Sequence, residues 1–268
     1  MSKLFEASEI NGMKLANRFV RSATWEGMAA DDGACTPKLI DLMVSLAAGG
    51  VGLIISSHAY VSPAGQAGPW QLGAYDDKLI PGLESMARAV HEGGGKIVMQ
   101  LAHAGYFANP KLTGQTPLAP SNVEGFAKGA RQEMSADDIQ GVVKAYGAAA
   151  QRAQTAGFDG VQIHCAHGYL LSQFLSRSLS HLGGNQVCKQ CQRVRRLGAR
   201  GHLAVIGVVL RSKHLPGTLK LVAVPGSLIV ATNGFCHFGH HPRRDRKVDG
   251  VDVGNRCLGP LSQPVAPR

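Results

Sequence analysis

Three short apolar runs, Val51–Ser56, Lys96–Leu101 and Phe158–His164, constrain this chain more than any other feature. Each is apolar almost throughout rather than alternating, the mark of a strand buried on both faces. Helix signals fill the gaps between them. Thr36-Pro37 sets an N-cap hydroxyl before a proline at the first helical position, and Gly49-Gly50 stops a helix running to about Ala48. A second helix is expected from about Ile80 to His91, ending at Gly93-Gly94-Gly95. Ser135 with Asp138 forms a capping box with Asp in place of the usual Glu. Ile139, Val142, Val143, Tyr146, Ala150 and Ala153 then keep helical spacing to about Ala156. Ahead of all this, Asn11-Gly12 is a strong two-residue hairpin signal. Leu15–Val20 follows as a return strand leading into the first core strand. Strand and helix repeating in this way make a parallel α/β protein. Polar residues just past each strand favour a (β/α)8 TIM-barrel type over an open sheet.

The pattern holds only as far as Ser176. Residues 177–268 carry 15 Lys+Arg against 3 Asp+Glu and no Glu, whereas residues 1–176 carry 13 against 15. The formal net charge of +10 therefore belongs to the last third. No capped amphipathic helix is found there, although a barrel needs one; His202–Leu210 and Leu219–Val230 read as candidate strands. Two parts are expected: 1–176, the N-terminal half of a barrel, and 177–268, an irregular basic Arg/Gly/His-rich tail that leaves the barrel incomplete. So sharp a change of composition points to a shifted reading frame or a replaced C-terminus.

Within the tail, Cys188 and Cys191 have metal-ligand spacing, and Cys236, His237, His240 and His241 are the residues that would complete a zinc site. The long gap between the two halves of that set argues against a compact finger, and no metal is assigned. The basic charge attracts phosphates non-specifically. An RNA- or DNA-binding fingerprint is missing, so a nucleic-acid partner is not expected. The opening residues lack the apolar core of a secretory signal, and no apolar run reaches the roughly 18 residues that span a bilayer. The expectation is a cytoplasmic protein with reduced cysteines and no membrane partner; a homo-oligomer is compatible with it.

The chemistry concentrates in Asp159–Ser176. A buried strand runs into His164 and His167, with Tyr169 two residues on. Histidines and a tyrosine at a strand's end can bind a carbonyl oxygen and deliver a proton; the bland alternative is two core histidines and a packing tyrosine. Gln100, near the end of another strand, carries an amide that donates and accepts at once.

Four motifs carry a resemblance. They are Asn17–Thr24 (NRFVRSAT), Gly50–Ser56 (GVGLIIS), Gln100–Gly105 (QLAHAG) and His164–Leu175 (HCAHGYLLSQFL). In this order they resemble the N-terminal half of the old yellow enzyme family, in its bacterial NADH:flavin oxidoreductase and 2,4-dienoyl-CoA reductase branch. The resemblance implies an FMN-binding barrel. It implies NADH or NADPH as reductant and reduction of the activated C=C bond of a small enone or enoyl substrate. It implies that Ser22, Ala23, Thr24 and Trp25 lie along the flavin, with His58, just past the second strand, and Gln100, at the end of the third, lining the ring. His164 and His167 would hold the substrate carbonyl oxygen, and Tyr169 would protonate the α-carbon. Tyr106 stands where many relatives have Arg. The family's later segments, a basic residue for the ring and loops for the phosphate, are not found after Ser176. The alternative is a barrel fragment without FMN binding or turnover, or a basic metal- or nucleic-acid-binding tail.

Overall fold

The computed structural model describes residues 3–10, 12–123 and 129–176. The candidate zinc ligands, the two candidate tail strands and Asn11 of the hairpin signal lie outside the described residues.

Strands β1 (Ser8–Ile10) and β2 (Met13–Leu15) pair antiparallel, with Gly12 at φ +81° in the turn. Next come β3 (Val20–Arg21), α1 (Pro37–Ala48), β4 (Leu53–Tyr60), α2 (Ile80–Glu92) and β5 (Ile97–Ala102). The loop after β5 holds a short α3 (Pro110–Thr113) and a two-residue parallel pairing of β6 (Leu118–Ala119) with β7 (Gln132–Glu133). Then α4 (Ala136–Thr155), β8 (Gly160–Ile163) and α5 (Leu170–Leu175) complete the described chain. Strands β3, β4, β5 and β8 form one parallel sheet in chain order. A sheet that adds each strand beside the last, without reversing, is wound as a (β/α) barrel rather than as a doubly wound open sheet.

The caps form as the sequence predicts. Thr36 Oγ1 accepts from the Leu39 amide, and Ser135 and Asp138 exchange both bonds of a capping box. Helix α1 buries Leu39, Met43 and Ala47, and α2 buries Leu83, Met86, Ala87 and Val90. The buried face of α4 differs from the predicted stripe. Tyr146, Ala149 and Ala153 are buried, while Val143 is exposed. The two alanines let the helix approach the sheet closely, and the face turns to bring them inward.

Strand alternation sorts the sheet into an outer and an inner side. Outward, Ile54, Ala59, Ile97, Met99, Leu101, Val161 and Ile163 pack into the main core with the helices. Inward, Leu53, Ile55 and Val98 meet Met13 and Leu15, so the N-terminal hairpin plugs the amino end of the barrel. The next inward level is polar. His58 of β4 stands opposite Gln100 of β5, and Gln100 opposite Gln162 of β8.

A register shift between Ile55 and His58 creates this level. An unbroken pairing from Ile55 would bring Ser57 opposite Gln100; one extra residue in β4 brings His58 there instead. The Gln100 amide then donates to Ser56 Oγ at 3.3 Å. Two expectations are corrected accordingly. Strand β4 runs on to Tyr60, so His58 lies inside it rather than past its end, and Gln100 lies two residues before the end of β5.

At the amino end, Asp159 gathers three donors: His91 Nε2 at 2.7 Å, Lys96 Nζ at 2.9 Å and the Ile97 amide at 3.0 Å. Burial pushes its carboxyl upward in pKa, but His91, the Ile97 amide and Lys96 together outweigh burial and hold it below the ordinary value. A depressed folded pKa gives stability that is present above the unfolded value and is lost as pH falls through the folded one. Asp159→Asn should therefore lower stability by about 2 kcal/mol at pH 7, the scale of a hydrogen bond to a charged group. Melting curves against pH should show the gap from the unaltered chain closing below about pH 4; a gap that stayed constant there would refute the assignment.

Candidate functional site

Strand β8 ends at Ile163, and His164 is buried immediately beyond it. The chain then turns sharply. His167 has φ +57° and Gly168 φ +73°, two successive left-handed residues. Such a conformation is strained for a histidine, and strain of this kind gathers at functional sites. Its effect is to fold His167 back, with ring centroids 5.2 Å from His164. Gly168 tolerates the turn for a second reason: a Cβ there would come within 2.9 Å of the Phe107 ring.

Tyr169 caps α5 and stands 4.9 Å from His164, ring to ring. Its hydroxyl lies 3.5 Å from His58 Nε2. The predicted His164, His167, Tyr169 and His58 thus converge, edge to face, at the carboxyl end of the sheet. Gln100 lies one strand over, in register with His58, and its Nε2 donates to Gln162 Oε1 at 2.7 Å.

Ser22, Ala23, Thr24 and Trp25 do follow β3. Ala23 packs against the inner core, Thr24 Oγ1 turns back to the Ser22 carbonyl at 3.2 Å, and Trp25 is exposed with its ring against Gly27. Among the described residues, no hydrogen bond or ring contact joins Thr24 or Trp25 to the His–Tyr cluster.

Burial sets the protonation of the cluster. It lowers the His164 pKa to about 3, with His58 and His167 adding to the effect, and lowers that of His58 to about 4, with His167 adding. Burial raises the Tyr169 phenol above its ordinary value. At neutral pH the site therefore presents neutral imidazoles from His58 and His164 beside a protonated phenol: hydrogen-bond donors with a transferable proton. Cys165, between the histidines, is pushed up to about 11 by burial and packs against the outer core as a small apolar residue.

Two glutamines escaped sequence reasoning. Gln162 is a polar side chain in the middle of an apolar strand, and that interruption was the available signal. Gln173 is fully buried, and its amide binds three backbone groups around the site loops. Its position inside the apolar Leu170–Leu175 turn was its only mark.

Parallel strands wound in sequence define a (β/α) barrel of the TIM type, and the polar cluster lies at their carboxyl ends, where barrels of this type carry their sites. Residues 3–184 match the NADH:flavin oxidoreductase / NADH oxidase family, and the chain belongs to that family. It is 39% identical over 189 residues to a NADH oxidase of Thermoanaerobacter brockii, covering 68% of this chain and 29% of that protein. It is 37% identical over 182 residues to a NADH:acrylate oxidoreductase of Vibrio harveyi, covering 65% and 18%. The old yellow enzyme homologue from Zymomonas mobilis superimposes with a TM-score of 0.65 at 29% identity, covering 73% of this chain and 57% of that one. The chain spans about half or less of the length of the curated relatives it matches. Proteins of this family use FMN with NAD(P)H.

Proposed function

We propose that residues 1–176 form the N-terminal half of an FMN-binding barrel, with 177–268 a distinct basic segment, and that the site serves NAD(P)H-dependent reduction of activated C=C bonds. The observation that carries this reading is the convergence of His167 with neutral His164 and protonated Tyr169 beside the polar level of the barrel interior.

The residues present fit a flavin ring. Gln100 spends its Nε2 on Gln162, and among the described residues its carboxamide oxygen has no partner. An acceptor so oriented suits the imide N–H of an isoalloxazine. Gln100 and His58 would line the ring, with Ser22, Ala23, Thr24 and Trp25 from the loop after β3. Bound FMN supplies a hydride drawn from NADH or NADPH.

The chain's own residues do the rest. His164 and His167 donate to the substrate's carbonyl oxygen, where negative charge grows as the β-carbon is reduced. A preorganised donor in a buried position, as His164 is, stabilises such charge by about 3 kcal/mol; His167, which is exposed, adds less. Tyr169 gives its phenolic proton to the α-carbon, and its raised pKa keeps that proton in place until then. The name of the Vibrio harveyi relative, a NADH:acrylate oxidoreductase, supports an α,β-unsaturated carbonyl as substrate class. A small enone or an enoyl thioester fits that description.

Two measurements test the reading. The purified chain should quench the fluorescence of added FMN, and should then oxidise NADH or NADPH faster with 2-cyclohexenone present than without. A chain that leaves FMN fluorescence unchanged is the alternative barrel fragment without cofactor or turnover, and the proposal falls.

A further inference from the structure

We propose that Gln162 is a positioning residue for the flavin ring: by accepting from Gln100, it fixes which end of the Gln100 amide faces the barrel interior. The inference rests on the FMN reading above and adds a residue and a direction to it.

The geometry is specific. Gln100 and Gln162 are opposite one another on adjacent parallel strands, and both belong to the inward polar level. Gln162 is buried, and its Oε1 receives Gln100 Nε2 at 2.7 Å. A primary amide can present either a donor end or an acceptor end. Holding the Nε2 end sideways, along the sheet, leaves Oε1 as the free end. A ring offering an imide N–H is then matched, whereas a ring offering only a carbonyl at that point meets an oxygen and is repelled. Without Gln162 the Gln100 amide rotates freely, and binding must supply the entropy of fixing it.

The direction of the bond makes a sharp test, because glutamate can only accept. Gln162→Glu keeps the acceptor and should keep the orientation of Gln100. Gln162→Leu removes it, and Gln162→Asn, one methylene short, withdraws it. The probes are FMN and FMN methylated at N3, which lacks the imide N–H, titrated by fluorescence quenching. The unaltered chain should bind FMN more tightly than the methylated probe. Gln162→Leu and Gln162→Asn should weaken FMN by up to about tenfold, the worth of one net hydrogen bond, while leaving the methylated probe nearly unchanged. Gln162→Glu should stay within about threefold of the unaltered chain for both.

The inference is overturned if Leu and Asn weaken both probes equally, if they weaken neither, or if Glu behaves like Leu. Circular dichroism and melting of each variant identify a folding defect. If Leu and Asn both fail to fold, Gln162→Glu decides alone, by keeping or losing the preference for FMN over the methylated probe. If the unaltered chain binds neither probe, the FMN reading itself fails.

Discussion

His164→Ala should lower kcat/KM for an enone by two to three powers of ten, roughly what the loss of one donor to a developing oxyanion costs. Tyr169→Phe should act differently. It removes the α-carbon's proton source while leaving both imidazoles, so the loss, about 10²–10⁴-fold, should fall on the step that consumes enone. Reduction of the flavin by NAD(P)H should keep its rate in Tyr169→Phe, because no proton from the phenol enters that half-reaction. Stopped-flow measurement of the two half-reactions separates the cases. If Tyr169→Phe slowed both equally, the phenol would be a packing group. The pH profile adds a second check. The folded pKa values of His164 and His58 are lowered to about 3 and about 4, so both are already neutral well below neutral pH. Neither should contribute an inflection between pH 5 and 8, and activity lost on acidification through these groups should appear only near those values. An inflection near pH 6.5 that vanished in His164→Ala would contradict the buried, neutral imidazole.

How much of this was legible depended on how local the governing physics is. Helix ends were read to within a residue or two because their chemistry sits in adjacent positions, as with Thr36 accepting from Leu39 and Ser135 trading bonds with Asp138. The histidine and tyrosine cluster was legible because its members lie within six residues of one another. His58 was named from the family pattern but placed past its strand, because the extra residue after Ile55 is a property of the pairing with β5 rather than of β4's own sequence. The polar level of the barrel was missed for the same reason. His58, Gln100 and Gln162 are 42 and 62 residues apart, counting from Gln100, and only register aligns them. Thr24 and Trp25 come from the motif alone: they follow β3, where Thr24 Oγ1 turns back to the Ser22 carbonyl and Trp25 is exposed, and among the described residues no hydrogen bond or ring contact joins either to the His–Tyr cluster.

Gln173→Leu should destabilise the chain by about 3–5 kcal/mol, a large effect for a change that nearly preserves volume. The reason is the number of backbone groups this one amide satisfies. Its Oε1 accepts from the Tyr106 amide at 3.3 Å, and its Nε2 donates to the Ala104 carbonyl at 3.1 Å and the Gly168 carbonyl at 2.6 Å. Leucine fills the space but removes all three bonds at once; the Ala104 carbonyl keeps the Phe107 amide at 3.2 Å, and each lost bond costs about 1 kcal/mol, up to about 3 where a buried group is left unsatisfied. The same amide explains why Gly105, at φ +62°, has no side chain: a Cβ would lie 2.4–2.7 Å from the Gln173 carboxamide atoms. Gln173 therefore ties the loop after β5 to the loop after β8, helped by the Leu170 amide donating to the His103 carbonyl at 2.9 Å. What it holds is the left-handed His167–Gly168 turn, and with it the spacing of His167, His164 and Tyr169. Melting should drop by about 10 °C, on a scale of a few degrees per kcal/mol for a domain of this size. The loss of enone turnover should persist below the new melting temperature, because a strained turn relaxes when its tether is cut. Gln173→Glu makes the control. It keeps an acceptor for Tyr106 but gives up the donors to Ala104 and Gly168 and sets a buried carboxyl against their oxygens, so it should recover neither stability nor turnover. Full turnover in Gln173→Leu at a temperature where it is folded would show that the turn holds its own shape, and that the histidine pair needs no brace from the helix below it.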